Sequence, residues 1–548
     1  MRLAGLAAAL VLAVTATAGA TACGDGRGAP GAGTPSAATS ATPRPGGTYD
    51  FPLQYDITTF APFAALWEDN VVLHQIYEGL TAYETMPDGT VRTVPCLAQD
   101  WTADEDATVW TFHLRRGVRF HEPVGREVTA ADVVADFRYC TRASTKSLYA
   151  NMYNVIRGTS DDGTAGASRL GVEAVDRYTV RFTLKHPFAA FPDTLGGAAA
   201  WVWPVDYLRR AGREAFEAAP AGTGPFLLSR RVAGEYIDLV RNPAWWDAAS
   251  GRPYLAAVHF ELFESVSAEL RAFQEGRLDF TWVPRGQVTA ARSLPEVRSG
   301  EWEAGVLPVA ATALLGFDMR DRTVGGDGRL PLRQAIDAAV DRASLVAAVS
   351  DGVYIPQTGL VPPIFPGWKD EQPPQACDPA RARQLYESAG SPKLTLTCLN
   401  DRLGMAVAQW LKQACAAAGI PLAVRAVRWN AYAAMYQKGD VPPMCLSSWG
   451  ANSYDGFLYE MYESSLSPYT SGTAYSDPDV DRLLQLARST PDEARRLELS
   501  RRAAHEIAAD VPVIPLFQFA DFRLLSTRIG GFTPNPMYVA DMWRLWVK

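Results

Sequence analysis

Between Trp449 and Asp455 the chain places an indole, an amide, a phenol and a carboxylate close together, at Trp449, Asn452, Tyr454 and Asp455, with Gly450 and Ala451 between them. These groups stack on planar faces, exchange neutral hydrogen bonds and offer one negative charge, which is the chemistry of holding a ligand. The short apolar run Met444–Leu446 just before them reads as a buried strand, so the cluster sits where a strand of a parallel sheet delivers its chain to a crevice. A polar loop after a strand end has much the same composition. The choice between loop and site therefore falls to the rest of the chain.

Residue constellations for catalysis are missing. The histidines are His74, His113, His121, His186, His259 and His505; none falls in an HExxH pattern, and His505-Glu506 is followed by Ile507, Ala508 and Ala509 where a second ligand is needed. There is no GxSxG elbow and no CxxC pair, so neither a serine hydrolase, a zinc ribbon nor a thioredoxin-like redox site is indicated. With 60 acidic residues, paired carboxylates carry no information. No metal and no cofactor are expected, and a secreted hydrolase stands only as the alternative from a different class.

Length and composition bound the remaining classes. A chain of 548 residues exceeds what one core organises, which predicts two or three domains. A net charge of -8 without a long basic run gives no footprint for nucleic acid. At the amino terminus, Arg2 precedes an apolar stretch from Leu3 to Val14 that is short for a bilayer span, and Ala20-Thr21-Ala22 leads to Cys23. This resembles a bacterial lipoprotein signal: residues 1–22 would be removed and Cys23 lipidated. Cleavage without lipidation is the alternative, since Ala20 stands where that motif usually has leucine. Residues 23–46, rich in Gly, Ala, Thr, Ser and Pro, cannot bury enough surface to fold and read as a flexible tether. The other cysteines are Cys96, Cys140, Cys377, Cys398, Cys415 and Cys445. In an exported chain a disulfide between Cys96 and Cys140 is the local pairing, with buried free thiols as the alternative.

The elements that would position the cluster follow from periodicity. Gly47–Leu53 opens the folded body as a strand, and Asp69–Leu80 reads as a helix. Trp110, Phe112 and Leu114 alternate with Thr111, His113 and Arg115, the period of a half-buried strand; Thr179–Leu184 repeats it, and Thr129 with Asp132 caps a helix between them. Together these predict a small α+β unit. Asn242–Asp247 reads as a turn bearing exposed aromatics, Trp245 and Trp246. From about residue 307, strands at 312–317, 394–398, 422–427 and 444–447 alternate with helices. The succession predicts a doubly wound parallel sheet whose strands all open onto one edge. Trp429 and Tyr432, just after the strand 422–427, would lie beside the cluster. Thr490-Pro-Asp-Glu493 reads as a capping box.

Several ordered motifs carry a resemblance. Tyr77-Glu-Gly-Leu80, Leu97-Ala-Gln-Asp-Trp101, Trp110–Phe120, Thr129-Ala-Ala-Asp-Val133 and Gly222-Thr-Gly-Pro-Phe226 resemble the family-5 solute-binding proteins of ABC importers, the binders of oligopeptides, dipeptides and nickel. Arg333-Gln-Ala-Ile336, Asp341-Arg342, Asp378-Pro-Ala-Arg381 and Asp477–Asp481 continue it in the same order. The resemblance implies an α/β, two-lobed periplasmic-binding-protein-like fold (type II, cluster C) with an extra α+β subdomain. It divides the chain into lobe I (47–82, 196–306 and 516–548), the subdomain (83–195) and lobe II (307–515). It further implies a monomer, held at the outer face of the cell membrane by a lipid anchor, that takes a peptide or similar solute between its lobes and passes it to an ABC permease. Its implied ligand wall is Trp429, Tyr432, Trp449, Gly450, Ala451, Asn452, Tyr454 and Asp455, with Tyr149 and Tyr153 from the subdomain. Peptide-binding members commonly have Trp-x-Ala-Asp here, the aspartate pairing with the ligand's amine. This chain has Trp449-Gly-Ala-Asn452, so a neutral ligand such as an oligosaccharide is the alternative within the family, unless Asp455 supplies the charge.

Overall fold

The computed structural model describes residues 42–165, 170–366, 377–451, 453–537 and 539–548; Cys23, the signal and most of the tether lie outside them, as does Asn452. Two sheets dominate the body. In the first, Thr48–Leu53 runs parallel to Ala257–Leu262, followed by Tyr236–Arg241 and Phe226–Val232. In the second, of seven strands, Phe280–Trp282, Val513–Ser526, Trp302–Phe317, Met444–Gly450, Leu394–Leu399 and Leu422–Val427 lie side by side, and Ile355–Pro356 pairs with Val513–Ser526.

The second sheet is mixed, which corrects the all-parallel expectation. Leu422–Val427, Leu394–Leu399 and Met444–Gly450 are parallel, but Trp302–Phe317 runs antiparallel to Met444–Gly450 and to Val513–Ser526. These two long strands also run through the expected boundaries at 306/307 and 515/516. Their inner halves lie in the core around Leu315, Phe317, Ile514 and Phe517, while their outer ends pack with Phe273 and Leu278. They thus pass continuously between the two halves of the molecule.

The α+β unit forms as its alternation requires. Ala98–Ala103, Val109–Leu114, Thr179–Thr183 and Val172–Asp176 make an antiparallel sheet, with Trp110, Phe112 and Leu114 buried, against the helix Ala130–Cys140. Thr129 and Asp132 close a capping box at its start. The expected Cys96–Cys140 disulfide is not formed. Both thiols are buried and free, and Cys140 Sγ donates to Asp136 Oδ1 at 3.4 Å instead.

The motifs behind the resemblance are scaffold. The expected helix 69–80 is α-helical only over Asn70–Leu73, following a 3-10 turn that ends at Asp69, because the chain must then turn through Tyr77–Leu80 against Gly222–Phe226. Gly224 N donates to Ile76 O at 2.8 Å and Phe226 N to Gln75 O at 3.0 Å. A Cβ on Gly222 would stand 1.9 Å from Ile76 O, so only glycine allows this approach. Glu78, fully buried, accepts from Thr223 Oγ1 (2.8 Å), Trp245 Nε1 (3.0 Å) and Trp246 Nε1 (3.0 Å). Trp245 and Trp246 are therefore not exposed turn aromatics; the first is buried and both hold this carboxylate. Arg333 donates to the carbonyls of Val324, Gly326 and Asp510, and Arg342 to Pro515 O and Asp337 Oδ1. Asp378 and Asp477 cap helices. The cap of Glu493–Asp510 is Asp492, which accepts from Arg495 N, and not Thr490.

One core spans more than one expected domain. The helices Tyr454–Tyr462, Pro478–Arg488 and Glu493–Asp510, inside the 307–515 segment, share an apolar core with the α+β unit and the first sheet. Arg488 ties the junction: Nε donates to Pro187 O at 2.7 Å, and its guanidinium lies 4.3 Å from the centre of the Phe188 ring and 4.2 Å from that of Tyr459. Among the described residues no helix is long and apolar enough to cross a membrane.

Candidate functional site

Met444–Gly450 lies between a parallel and an antiparallel neighbour, so both its edges are paired near its start. Met444 and Leu446 point into the core around Phe317 and Leu396, while Cys445 packs with Tyr432, Tyr436 and Trp449 on the opposite face. Ser447, two residues on from Cys445, belongs to that second face by the alternation of a strand. The helix Trp429–Lys438 covers it, ended by Gly439 at φ +62°.

Four aromatic rings run in file across this junction. Trp429 stacks on Tyr432 (6.1 Å, 22°), Tyr432 meets Tyr436 (5.1 Å, 43°), and Tyr436 meets Trp449 edge-on (5.6 Å, 65°). The Tyr432 hydroxyl donates to Leu446 O at 2.8 Å, which fixes the helix on the strand. The file has an open end, for Trp429 is 41% exposed whereas Tyr432 and Tyr436 are buried. Burial pushes the Cys445 thiol up to about 12, so it stays protonated and is no nucleophile.

Two polar atoms on this strand are unspent. Ser447 Oγ and Trp449 Nε1 are buried and have no hydrogen-bond partner among the described residues. A buried donor without an acceptor costs about 1–3 kcal/mol. A ligand acceptor reaching them would remove that cost. Beyond them Gly450 is exposed, and Ala451 N donates to Ala310 O at 2.8 Å, anchoring the strand's end to Trp302–Phe317. Asn452 lies outside the described residues.

The other expected site residues are used differently. Tyr454 is buried at the start of its helix, which Ser453 caps by accepting from Gly456 N at 3.1 Å. Asp455 is buried, and Arg496 Nε lies 3.2 Å from its Oδ2. Burial raises its carboxyl and Arg496 opposes that. Asp193 stands close enough to be affected: burial, with Asp455 adding, pushes it up to about 7, while Thr93 Oγ1 donates to it at 2.5 Å. Asp455 thus joins two helices and is no free counter-charge. Tyr153 is 4% exposed, packs edge-on against Phe137 at 5.5 Å and donates its hydroxyl to Ala199 O; it is core of the α+β unit. Tyr149 is half-buried and donates to Ala65 O at 3.0 Å.

The structure therefore brings Trp429, Tyr432, Trp449, Gly450 and Ala451 together. Sequence reasoning missed Tyr436 and Ser447. Tyr436 follows Trp429 and Tyr432 at helical spacing, a signal legible in the sequence, whereas Ser447 reads from sequence only as part of a buried strand.

Comparison with known proteins gives one family. A sequence model described as "Bacterial extracellular solute-binding proteins, family 5 Middle" matches residues 92–468. Di/tripeptide-binding protein 1 of Pseudomonas aeruginosa is 25% identical over 507 residues, covering 88% of this chain and 89% of the relative. Among solved structures, the unliganded open form of the murein tripeptide-binding protein MppA superposes with a TM-score of 0.81 at 21% identity, covering 91% of this chain and 97% of the other. DppA of Helicobacter pylori in complex with the peptide STSA gives 0.67 at 24% identity, covering 92% and 98%.

Proposed function

The chain belongs to family 5 of the bacterial extracellular solute-binding proteins, and from that premise we propose that it captures a short peptide between two lobes and delivers it to the permease of an ABC transporter. The observation that carries this reading is the ring file Trp429–Tyr432–Tyr436–Trp449, open at Trp429 and flanked by the unspent Ser447 Oγ and Trp449 Nε1. A peptide offers what those groups lack: carbonyl acceptors along its backbone and side chains to lie on the rings. Di- and tripeptide binding by relatives matched over most of their length supports the same ligand class. Trp302–Phe317 and Val513–Ser526, continuous between the halves, are the strands about which the lobes would close. A lipid on Cys23 and the tether 23–46 would keep a monomer beside the permease. No chemical step is assigned to any residue.

A neutral ligand such as an oligosaccharide is the second reading. One observation favours it: Asp455 is taken by Arg496, and residue 452 is an asparagine, so the stretch that opens the site presents no free carboxylate to an ammonium.

Incubation with mixed peptide and glycan libraries, removal of unbound solute and mass spectrometry of what stays decides between the readings. The expected result is one intact peptide retained per chain. Retention of a glycan alone would transfer the assignment to the second reading, and turnover without retention would overturn both.

A further inference from the structure

If the ligand is a peptide, its ammonium calls for a counter-charge; Asp455, the one carboxylate of the 449–455 stretch, is held by Arg496, and a second surface carries another. Residues 58–70 form a compact loop pinned by Asp69, whose carboxylate accepts from Thr58 N (2.9 Å), Thr58 Oγ1 (2.6 Å) and Leu66 N (2.8 Å). Asp69 is thereby spent. The neighbouring Glu68 is exposed, and among the described residues no cation pairs with it. Asn70 is only 6% exposed, and its Oδ1 has no hydrogen-bond partner among the described residues. A buried acceptor without a donor is as costly as a buried donor without an acceptor.

The subdomain completes this surface. Leu148 N donates to Phe63 O at 3.0 Å and Tyr149 Oη to Ala65 O at 3.0 Å, so the segment 148–152 is fastened along the loop. Tyr149 lies within the electrostatic reach of Asp69 and Glu68, and its side chain meets that of Asn70. Around them Leu66, Leu148 and Met152 are 45%, 54% and 40% exposed, large apolar side chains that otherwise belong in a core. The surface thus offers acceptors, one unopposed negative charge and an apolar shelf. Charge complementarity selects a cation over an anion, and the shelf selects one attached to an apolar group.

We infer that this surface is the recognition site for the ligand's first residue, with Glu68 and Asn70 Oδ1 receiving the α-ammonium and Leu66, Leu148 and Met152 receiving an apolar side chain. The inference rests on the peptide reading and narrows it to short peptides with a free amino terminus and an apolar first residue. The counter-charge then comes from the loop 58–70, and the neutral Asn452 is consistent with that division of labour.

The test compares trileucine with N-acetyl-trileucine by isothermal titration, on the wild-type chain and on Glu68→Gln. The substitution keeps size and removes charge at an exposed position, so folding is unaffected, and melting of the ligand-free form checks this. The expected result is that Glu68→Gln weakens trileucine about tenfold or more and shifts N-acetyl-trileucine less than about twofold. A Leu148→Ser variant should weaken trileucine several-fold and leave triglycine unchanged. Equal binding of trileucine by wild type and Glu68→Gln, or an equal loss for both ligands, overturns the inference while the peptide reading stands. Failure of the wild-type chain to bind either ligand, with a glycan retained in its place, overturns the peptide reading and this inference together.

Discussion

Replacing Trp449 by alanine is expected to weaken ligand binding by about 2 kcal/mol or more, roughly thirtyfold, the range of a buried aromatic anchor at the centre of an interface. Two losses combine: a face for the ligand to lie on, and the Nε1–H that has no acceptor within the protein. The indole is only partly buried, and its ring contact is to Tyr436 at 5.6 Å, so the ligand-free protein should melt within a few degrees of wild type. Trp449→Phe separates the two losses. It keeps a ring and removes the donor, and should cost about 1 kcal/mol of affinity, the net worth of one hydrogen bond. Trp429→Ala, at the exposed end of the file, should weaken binding with no change in melting. Collapse of the ligand-free Trp449→Ala protein would instead make this side chain a core element, and the site would have to be sought elsewhere.

Glu78 governs the largest expected change in stability. Glu78→Leu leaves Thr223 Oγ1 and the indole N–H groups of Trp245 and Trp246 without their acceptor, at about 1–3 kcal/mol for each buried donor, and a total loss of about 3–5 kcal/mol is expected from chemical denaturation. The carboxyl also makes stability depend on pH. Burial pushes it up to about 7 against the opposing hydrogen bonds of Trp245, Thr223 and Trp246 and the charge of Arg115, and burial does the same for Glu269. Both have an ordinary value of 4.5, so between about pH 4.5 and 7 the folded chain holds protons that the unfolded chain releases. The stability from these groups is full below pH 4.5 and is lost as pH rises through 7. His121, pushed down by burial to about 4 from 6.5, acts oppositely: its contribution is present above pH 6.5 and is lost as pH falls through 4. Melting temperature should therefore fall from pH 6.5 to pH 8, because Glu78, Glu269 and Asp193, all raised to about 7, outweigh the one histidine, whose opposing contribution to the slope fades as the unfolded imidazole loses its proton above pH 6.5. Glu78→Gln should flatten that slope. A slope unchanged by Glu78→Gln would remove Glu78 as its source.

How much of this was legible in the sequence follows from what each residue does. Glu78, Gly222, Thr223, Arg333, Arg342, Asp378 and Asp477 were readable as ordered motifs because each meets a strict backbone requirement: a buried acceptor, a glycine against a carbonyl, a cap. Such requirements tolerate few residue types, and the fold was visible through them. The alternation of Trp110, Phe112 and Leu114 gave the α+β unit by the same logic. Chain direction in the second sheet was not visible, because an apolar strand buried on both faces looks alike whichever way it runs. In the turn 242–247, aromatic residues beside Pro243 resemble a surface turn in sequence, and only the fold brings the distant Glu78 to them. The pairing of Cys96 with Cys140 rests on the exported compartment and on their nearness in the chain, and only the fold shows that each thiol is buried and free.

The site was less legible than the scaffold, for a physical reason. Trp429, Tyr432 and Trp449 were found because rings after strands are conspicuous. Asp455 and Tyr153 have the same chemistry on paper, yet one is neutralised by Arg496 and the other packs on Phe137, and these partners lie 41 and 16 residues away in sequence. The polar atoms of the loop 58–70 look ordinary in sequence; only the fold shows the Asp69 carboxylate held by Thr58 and Leu66, and Glu68 without a cation among the described residues.

Small-angle X-ray scattering of the chain, alone and saturated with the peptide retained from the library, tests capture between lobes most directly. The account predicts a smaller radius of gyration for the saturated protein, as the halves close about the continuous strands Trp302–Phe317 and Val513–Ser526. An identical scattering profile with the peptide demonstrably bound would contradict it.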